Sequence, residues 1–185
     1  MSYQLITAKT VYAVTLAEAK RHLRELTTDN DTYIQDLIIA AQQKVEEEYD
    51  LSLTAETWEL ILDEFPVSDI EIYMWPVATI SSVKYTDPSG TTGVTVTNTN
   101  YTKDLASKPA RIKPINSYSW PATKSETANA VQVQFITGFT SPETIPGDIK
   151  VAMLLTMSDW NDNRGDKGRR FTRVSEMILN KYRYR

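Results

Sequence analysis

Over residues 15–45 apolar side chains recur at helical spacing, and from Glu56 they recur at every second position in short segments, so the change of period divides the chain. Thr15-Leu16-Ala17-Glu18 is a capping box, in which the Thr15 hydroxyl accepts from the Glu18 amide while the Glu18 carboxylate reaches back to the amide of Thr15. A helix is predicted to start there, with Leu16, Ala19, Leu23 and Leu26 on one stripe and Lys20, Arg21 and Arg24 on the other faces. A polar break over residues 27–30 precedes a second helix, capped by Asp29 or Asp31, whose Ile34, Leu37, Ile38, Ala41 and Val45 again share a stripe. The pair predicts an αα-hairpin over residues 15–50. Glu46, Glu47, Glu48 and Asp50 crowd the end where the helix dipole disfavours anions, so that end is expected either to fray or to be held by a basic neighbour.

From Glu56 onward Trp58, Leu60 and Leu62 alternate with Glu59 and Asp63, Ile70, Ile72 and Met74 with Glu71 and Tyr73, and Val83 and Tyr85 with Ser82 and Lys84. These are half-buried strands. Asp87-Pro88-Ser89-Gly90 is a type I turn signal, so the strands around it, continued by Val94 and Val96, are expected to pair as a hairpin. After Tyr101 the chain is expected to be irregular through Pro109, Pro114 and Pro121, before Val131, Val133 and Phe135 make the clearest strand, which ends at Gly138. Ile145-Pro146-Gly147-Asp148 opens a third helix, Pro being tolerated in a first turn and Asp148 favoured at the positive end of the dipole. Its Ile149, Val151, Ala152, Met153, Leu154, Leu155, Met157 and Trp160 leave almost no polar face, the pattern of a helix buried all round or covered by another subunit. After a break at 161–168, Val174, Met177, Ile178 and Tyr182 predict a last amphipathic helix.

The elements predict an α+β fold in one domain over residues 1–185. A small α-helical bundle, made of the N-terminal hairpin and the C-terminal helices of residues 146–185, carries an antiparallel β subdomain inserted over residues 56–138. At 185 residues the chain can bury a core without metal or disulfide help, and its lack of cysteine removes thiolate chemistry and Cys-based zinc sites. The start lacks a basic region followed by an apolar core, and the apolar stretches are too short to span a bilayer, so synthesis in a cytoplasm and no membrane partner are expected. The charge is uneven. From Arg164 on, Arg164, Lys167, Arg169, Arg170, Arg173, Lys181, Arg183 and Arg185 face only Asp166 and Glu176, a net of +6 in a chain whose total is −4. Such an asymmetry marks one end as a docking element for an acidic partner or nucleic acid, or else as a solvated terminus.

Candidate chemistry is sparse. His22 is the only imidazole and sits beside the apolar stripe of the first helix with no recognisable nucleophile or acid as partner. Asp159-Trp160-Asn161-Asp162-Asn163 resembles the start of a calcium loop, but the sixth position is Arg164 instead of Gly and the twelfth is Arg170 instead of Glu. The glycines are scattered and form neither a phosphate loop nor a dinucleotide pattern. Asp63 and Glu64 are adjacent on a strand and point apart, which does not suit a hydrolase needing converging carboxylates. No catalytic residue, cofactor or metal is therefore expected. Trp58, Trp75 and Trp120 could make a stacking platform for sugar or single-stranded nucleic acid, although strand aromatics more often fill a core or an interface centre. Trp58, Trp120, Met153, Met157 and Trp160 are accordingly candidates for a subunit interface or core. The N-terminal hairpin does not suit groove reading, because its second helix is the acid-rich one.

Several motifs in fixed order carry a family likeness. They are Val14-Thr15-Leu16-Ala17-Glu18-Ala19-Lys20 leading to Leu23, the helix over residues 33–45, Thr57-Trp58-Glu59-Leu60, and Pro76 before Ile80-Ser81-Ser82-Val83-Lys84-Tyr85. Pro109-Ala110-Arg111-Ile112, Trp120-Pro121, Asn129-Ala130-Val131 running to Gly138-Phe139, and Ile145-Pro146 before Ile149-Lys150 complete the series. Over nearly its whole length the chain resembles the head-tail connector (adaptor, head completion) proteins of tailed bacteriophages and prophages. The resemblance implies a helical bundle with an inserted β subdomain, about a dozen copies of which form a ring between the portal and the tail. It implies a structural virion protein that completes the head, retains packaged DNA and gives the tail a docking surface, with no catalysis. The implied partners are sister copies, the portal, a tail-side completion or terminator protein, and double-stranded DNA passing without sequence-specific binding. On this view residues 164–185 dock on the portal and part of the remaining acidic surface lines the channel. The alternative is a carbohydrate- or nucleic-acid-binding module using the aromatic β insert, which requires its aromatics on one exposed face.

Overall fold

The computed structural model describes residues 1–164 and 170–183, which fall into a β unit (Met1–Lys9 with Ala55–Gly138) and a helical unit (Thr10–Thr54 with the described part of Phe139–Arg185). Helices and antiparallel sheets together make the α+β fold expected from the change of period.

The β unit holds β1 (Ser2–Thr7), β2 (Glu56–Leu62), β3 (Ile70–Ile72), β4 (Val77–Tyr85), β5 (Val94–Thr95), β6 (Tyr101–Asp104), β7 (Ala110–Pro114) and β8 (Val131–Thr137). One sheet runs β1-β2-β8-β4-β5 and the other β3-β7-β6, antiparallel throughout. β8 is central because its alternation is complete: Val131, Val133, Phe135 and Thr137 are buried, opposite Leu62, Leu60, Trp58 and Glu56 on β2. On its other side Tyr85, Val83, Ile80 and Val77 of β4 stand opposite the same four positions. Val77, Ile80 and Val83 are three residues apart, so simple alternation picks out only the end of this strand. Register slips between Val77 and Thr79 and between Ile80 and Ser82 bring all three to the inner face. Ile70, Ile72, Tyr101, Ala110 and Ile112 of the second sheet enter the same core.

Two features of the β unit differ from the sequence pattern or escape it. The stretch after Tyr101 is not irregular: β6 and β7 pair as a hairpin, with Ala110 and Ile112 buried and Arg111 and Lys113 outward. Confined between Pro109 and Pro114, that alternation is too short to stand out. β1 has no period of two, since Leu5 and Ile6 are both exposed, and it is held as an edge strand by pairing with β2. The Tyr73 amide also donates to the Tyr3 hydroxyl at 3.0 Å. The Asp87 turn forms as expected: the Gly90 amide donates to the Asp87 carbonyl at 2.9 Å with Gly90 at φ +93°, where a Cβ is disfavoured. The Asp87 carboxylate accepts from Ser89 Oγ and from the Thr91 amide, which hold its pKa below the usual value.

The helical unit holds α1 (Leu16–Leu23), α2 (Asp31–Tyr49), α3 (Gly147–Asp162) and α4 (Arg173–Leu179). The capping box is present, Glu18 N to Thr15 Oγ1 at 3.2 Å and Thr15 N to Glu18 Oε2 at 2.7 Å; the Thr15 amide is the main cause lowering the Glu18 pKa. Arg24 takes a left-handed conformation (φ 58°) and stops α1, so Leu26 lies beyond the helix and is 95% exposed instead of joining the stripe. The N-cap of α2 is Asn30, with no side-chain cap bond, in place of Asp29 or Asp31; Asp31 instead pairs with Lys20 at 2.5 Å. The predicted stripe of α2 is buried, together with Gln42 and Tyr49.

Gln42 joins the turns of this unit. Its Oε1 accepts from the Ala13 amide at 2.8 Å, and its Nε2 donates to Thr54 Oγ1 and Glu46 Oε1, both at 2.9 Å. The acidic end of α2 does not fray. Glu46 Oε1 also accepts from the Leu53 amide at 3.0 Å, and Glu48 lies 3.1 Å from Lys44 and 3.7 Å from Arg183.

Candidate functional site

Among the described residues there is no grouping of three or more His, Cys, Asp and Glu side chains able to hold a metal ion, and no helix is long and apolar enough to cross a membrane. His22 is exposed in the last turn of α1. Asp159 to Asp162 remain helical at the end of α3, and Asn163 Nδ2 donates to Asp159 Oδ1 at 3.2 Å, which is a helix end and not a cation loop. The Asp63 carboxylate accepts from the Asn129 amide at 2.8 Å and fixes a turn.

The aromatic residues of the β unit are mostly occupied with one another. Trp58 packs against the core and donates Nε1–H to Glu56 at 3.2 Å. Trp120 stacks on Phe65, centroids 4.9 Å apart and planes 2° from parallel, with Tyr118 edge-on at 6.5 Å, and its Nε1–H donates to the Ser68 carbonyl at 3.2 Å. Lys108 lies over Trp75 at 4.8 Å. These contacts tie segments to one another, and Phe65 on Trp120 and Lys108 on Trp75 each take up a ring face that a stacking platform would present. Beside Phe65 and Trp120 runs a groove of about 590 Å³ lined by Glu64, Pro66, Val67 and Pro121.

In the helical unit Met153, Met157 and Trp160 lie on the inward side of α3 with Ile149, Ala152 and Thr156, and Trp160 Nε1–H donates to the Arg170 carbonyl at 2.9 Å. The opposite side of α3 is not covered all round: Val151 is 47% exposed, and Leu154 and Leu155 are half-buried. α4 turns a serine inward. Ser175 and Leu179 are its buried residues, whereas Val174 and Met177, expected in the apolar stripe, are exposed. The cause is a buried hydroxyl cluster: Ser175 Oγ donates to the Ala152 carbonyl at 2.9 Å and lies 3.0 Å from Thr156 Oγ1. With its hydrogen bonds made, a small Ser fits closely against α3.

The basic C-terminal region is not uniformly available. Lys181 pairs with Asp148, and Tyr182 Oη donates to Asp148 Oδ1 at 2.7 Å. Burial pushes the Asp148 pKa up, but the bonds from Lys181 and Tyr182 outweigh it and leave the carboxyl below its usual value; Lys181 is raised by the same bond. Arg183 bonds Glu48 and lies over the Tyr49 ring at 5.3 Å. Arg164 lies over Tyr33 at 4.4 Å and donates to Asn161 Oδ1 at 3.0 Å. Arg170 and Arg173 are exposed. Lys167, Arg169 and Arg185 lie outside the described residues. The sequence shows the charge but not these internal partners, because Glu48 and Asp148 are remote along the chain.

No protein-family model matches the chain, and no curated protein matches it. Solved structures do. A chain in the virion of a native gene transfer agent particle superposes with a TM-score of 0.81 and 20% identity, covering 99% of this chain and 95% of that one. The fold is one found in particle necks. A chain in the neck of the empty particle, computed with C6 symmetry, gives the same values, and one in the neck of the native particle, computed with C12 symmetry, gives 0.79 at 20% identity.

Proposed function

We propose that this chain is a structural protein of a phage or phage-like virion, about twelve copies of which form a ring in the neck between portal and tail. The observation that carries the proposal is the likeness, over 99% of the chain, to chains of gene transfer agent necks computed with C6 and C12 symmetry. In this role it completes the head, retains the packaged genome, gives the tail a docking surface, and lets double-stranded DNA pass without reading its sequence. The work is done by surfaces, and no step of chemistry is assigned to the chain. The acidic balance outside the C-terminal region suits a channel wall that repels DNA weakly. Arg164, Lys167, Arg169 and Arg170 are the bases assigned to the portal, since Lys181 and Arg183 already serve acids of their own helical unit.

The test is mass photometry and negative-stain imaging of the purified chain with and without portal particles. Rings on the portal axis are expected, and persistent monomers under both conditions would refute the proposal. Replacing the four assigned bases by Gln is expected to abolish co-sedimentation with portal. Substitution is preferred to truncation because Ser175 and Leu179, further along, belong to the core.

A further inference from the structure

Two helix faces of the helical unit remain unused by its core. On α3, Val151, Leu154, Leu155 and Ser158 recur at i, i+3, i+4 and i+7, on the side away from the buried set Ala152, Met153, Thr156 and Met157. On α4, Val174 and Met177 are 55% and 69% exposed and Ile178 is half-buried, again at i, i+3 and i+4. Each is a short ridge at the spacing that fits helix-on-helix packing. Their flanks carry opposite charge. Asp159 and Asp162, both exposed, follow the α3 ridge, and the exposed Arg173, first residue of α4, precedes the α4 ridge.

We infer that the α3 ridge of one copy packs antiparallel against the α4 ridge of the next copy in the ring. The inference rests on the ring reading above and names the contact within it. Charge sets the direction: Asp159 facing Arg173, the first residue of α4, requires the C-terminal end of α3 to lie at the N-terminal end of α4. From that register Ser158 falls opposite Val174, Leu155 opposite Met177 and Leu154 opposite Ile178, since both helices rise about 1.5 Å per residue. The dipoles then run in opposite directions, which also favours the pair. Because the two ridges are different surfaces, the contact is head-to-tail, and a closed ring covers both ridges in every copy. Pairing α3 with α3 would leave every α4 ridge bare and would bring no base to Asp159.

The chain has no cysteine, so introduced thiols report on this contact alone. The Ser158→Cys, Val174→Cys double variant, assembled on portal particles and oxidised, is expected to run on a denaturing gel as a ladder of linked copies, whereas either single variant stays unlinked. Asp159→Arg and Arg173→Asp are each expected to weaken assembly about fivefold per contact, and the two together to restore it. Both reversals place the favourable sign at their own helix end, so folding is preserved. Met177→Asp is expected to abolish rings without lowering the melting temperature. Rings that form normally with no ladder, or that tolerate Met177→Asp, overturn this contact while leaving the ring intact. Absence of rings even with wild-type chain and portal overturns both.

Discussion

The β unit and the helical unit satisfy their apolar residues differently. In the β unit the inner faces of two sheets close on one core, and the large aromatics at its margin, Phe65, Tyr118 and Trp120, cover each other. In the helical unit the core is just as completely buried around Ile149, Met153 and Met157, yet α3 and α4 keep apolar ridges outside it. Burial is not the point of every apolar residue: the β unit leaves Leu5, Ile6 and Val67 exposed on an edge strand and a loop, while the helical unit sets Val151, Val174 and Met177 at helical spacing along α3 and α4.

The largest effect that tests this contrast is in the β core. Phe135→Ala is expected to lower the unfolding free energy by about 3–5 kcal/mol, because Phe135 is fully buried at the centre of its sheet. Met177→Ala should change it by less than about 0.5 kcal/mol. Chemical denaturation of both variants decides the matter, and equal losses would break the contrast. Next comes Gln42→Leu, which leaves the Ala13 amide without its acceptor and should cost about 1–3 kcal/mol, with faster hydrogen exchange at that amide. Thr15→Ala removes the cap of α1 and should cost about 1 kcal/mol by thermal melting.

The smallest effect is at Asp148. Its carboxyl has a pKa below the usual 3.8, so its contribution to docking residues 180–183 is fully present above that value and is lost as pH falls through the folded value. Tyr182 ring resonances followed by NMR should shift in that acid range in the wild type, and in Asp148→Asn they should take the acid-form position already at neutral pH. An unchanged Tyr182 signal in the variant would show that the ion pair with Lys181 does not hold this segment.

What could be read from the sequence was whatever depends on neighbours along the chain. The Thr15 capping box, the stripe of α2 and the alternation of β8 are complete within short windows, and each formed as its pattern requires. β4 was half visible because two bulges replace alternation by a spacing of three. β1, β6 and β7 depend on pairing partners supplied from elsewhere, which no local period encodes. The inward turn of Ser175 on α4 was hidden for a similar reason, since its acceptor is the Ala152 carbonyl on α3. The surfaces followed the same rule. The cationic run from Arg164 was plain as charge, while the acids that occupy Lys181 and Arg183 came from α3 and α2. Met153, Met157 and Trp160 stood out as apolar, and only the packed helices told them apart from Val151 on the same element.

β8 comes last among the strands of its unit, yet it sits in the middle of the larger sheet, paired to β2 on one side and β4 on the other. Until it emerges during translation, that sheet can exist only as two separate ribbons, β1 with β2 and β4 with β5, neither broad enough to stand alone in water. Most of the polypeptide must therefore leave the ribosome before this half of the molecule takes shape. Completion of the larger sheet therefore waits on the pairing of β8 with both ribbons.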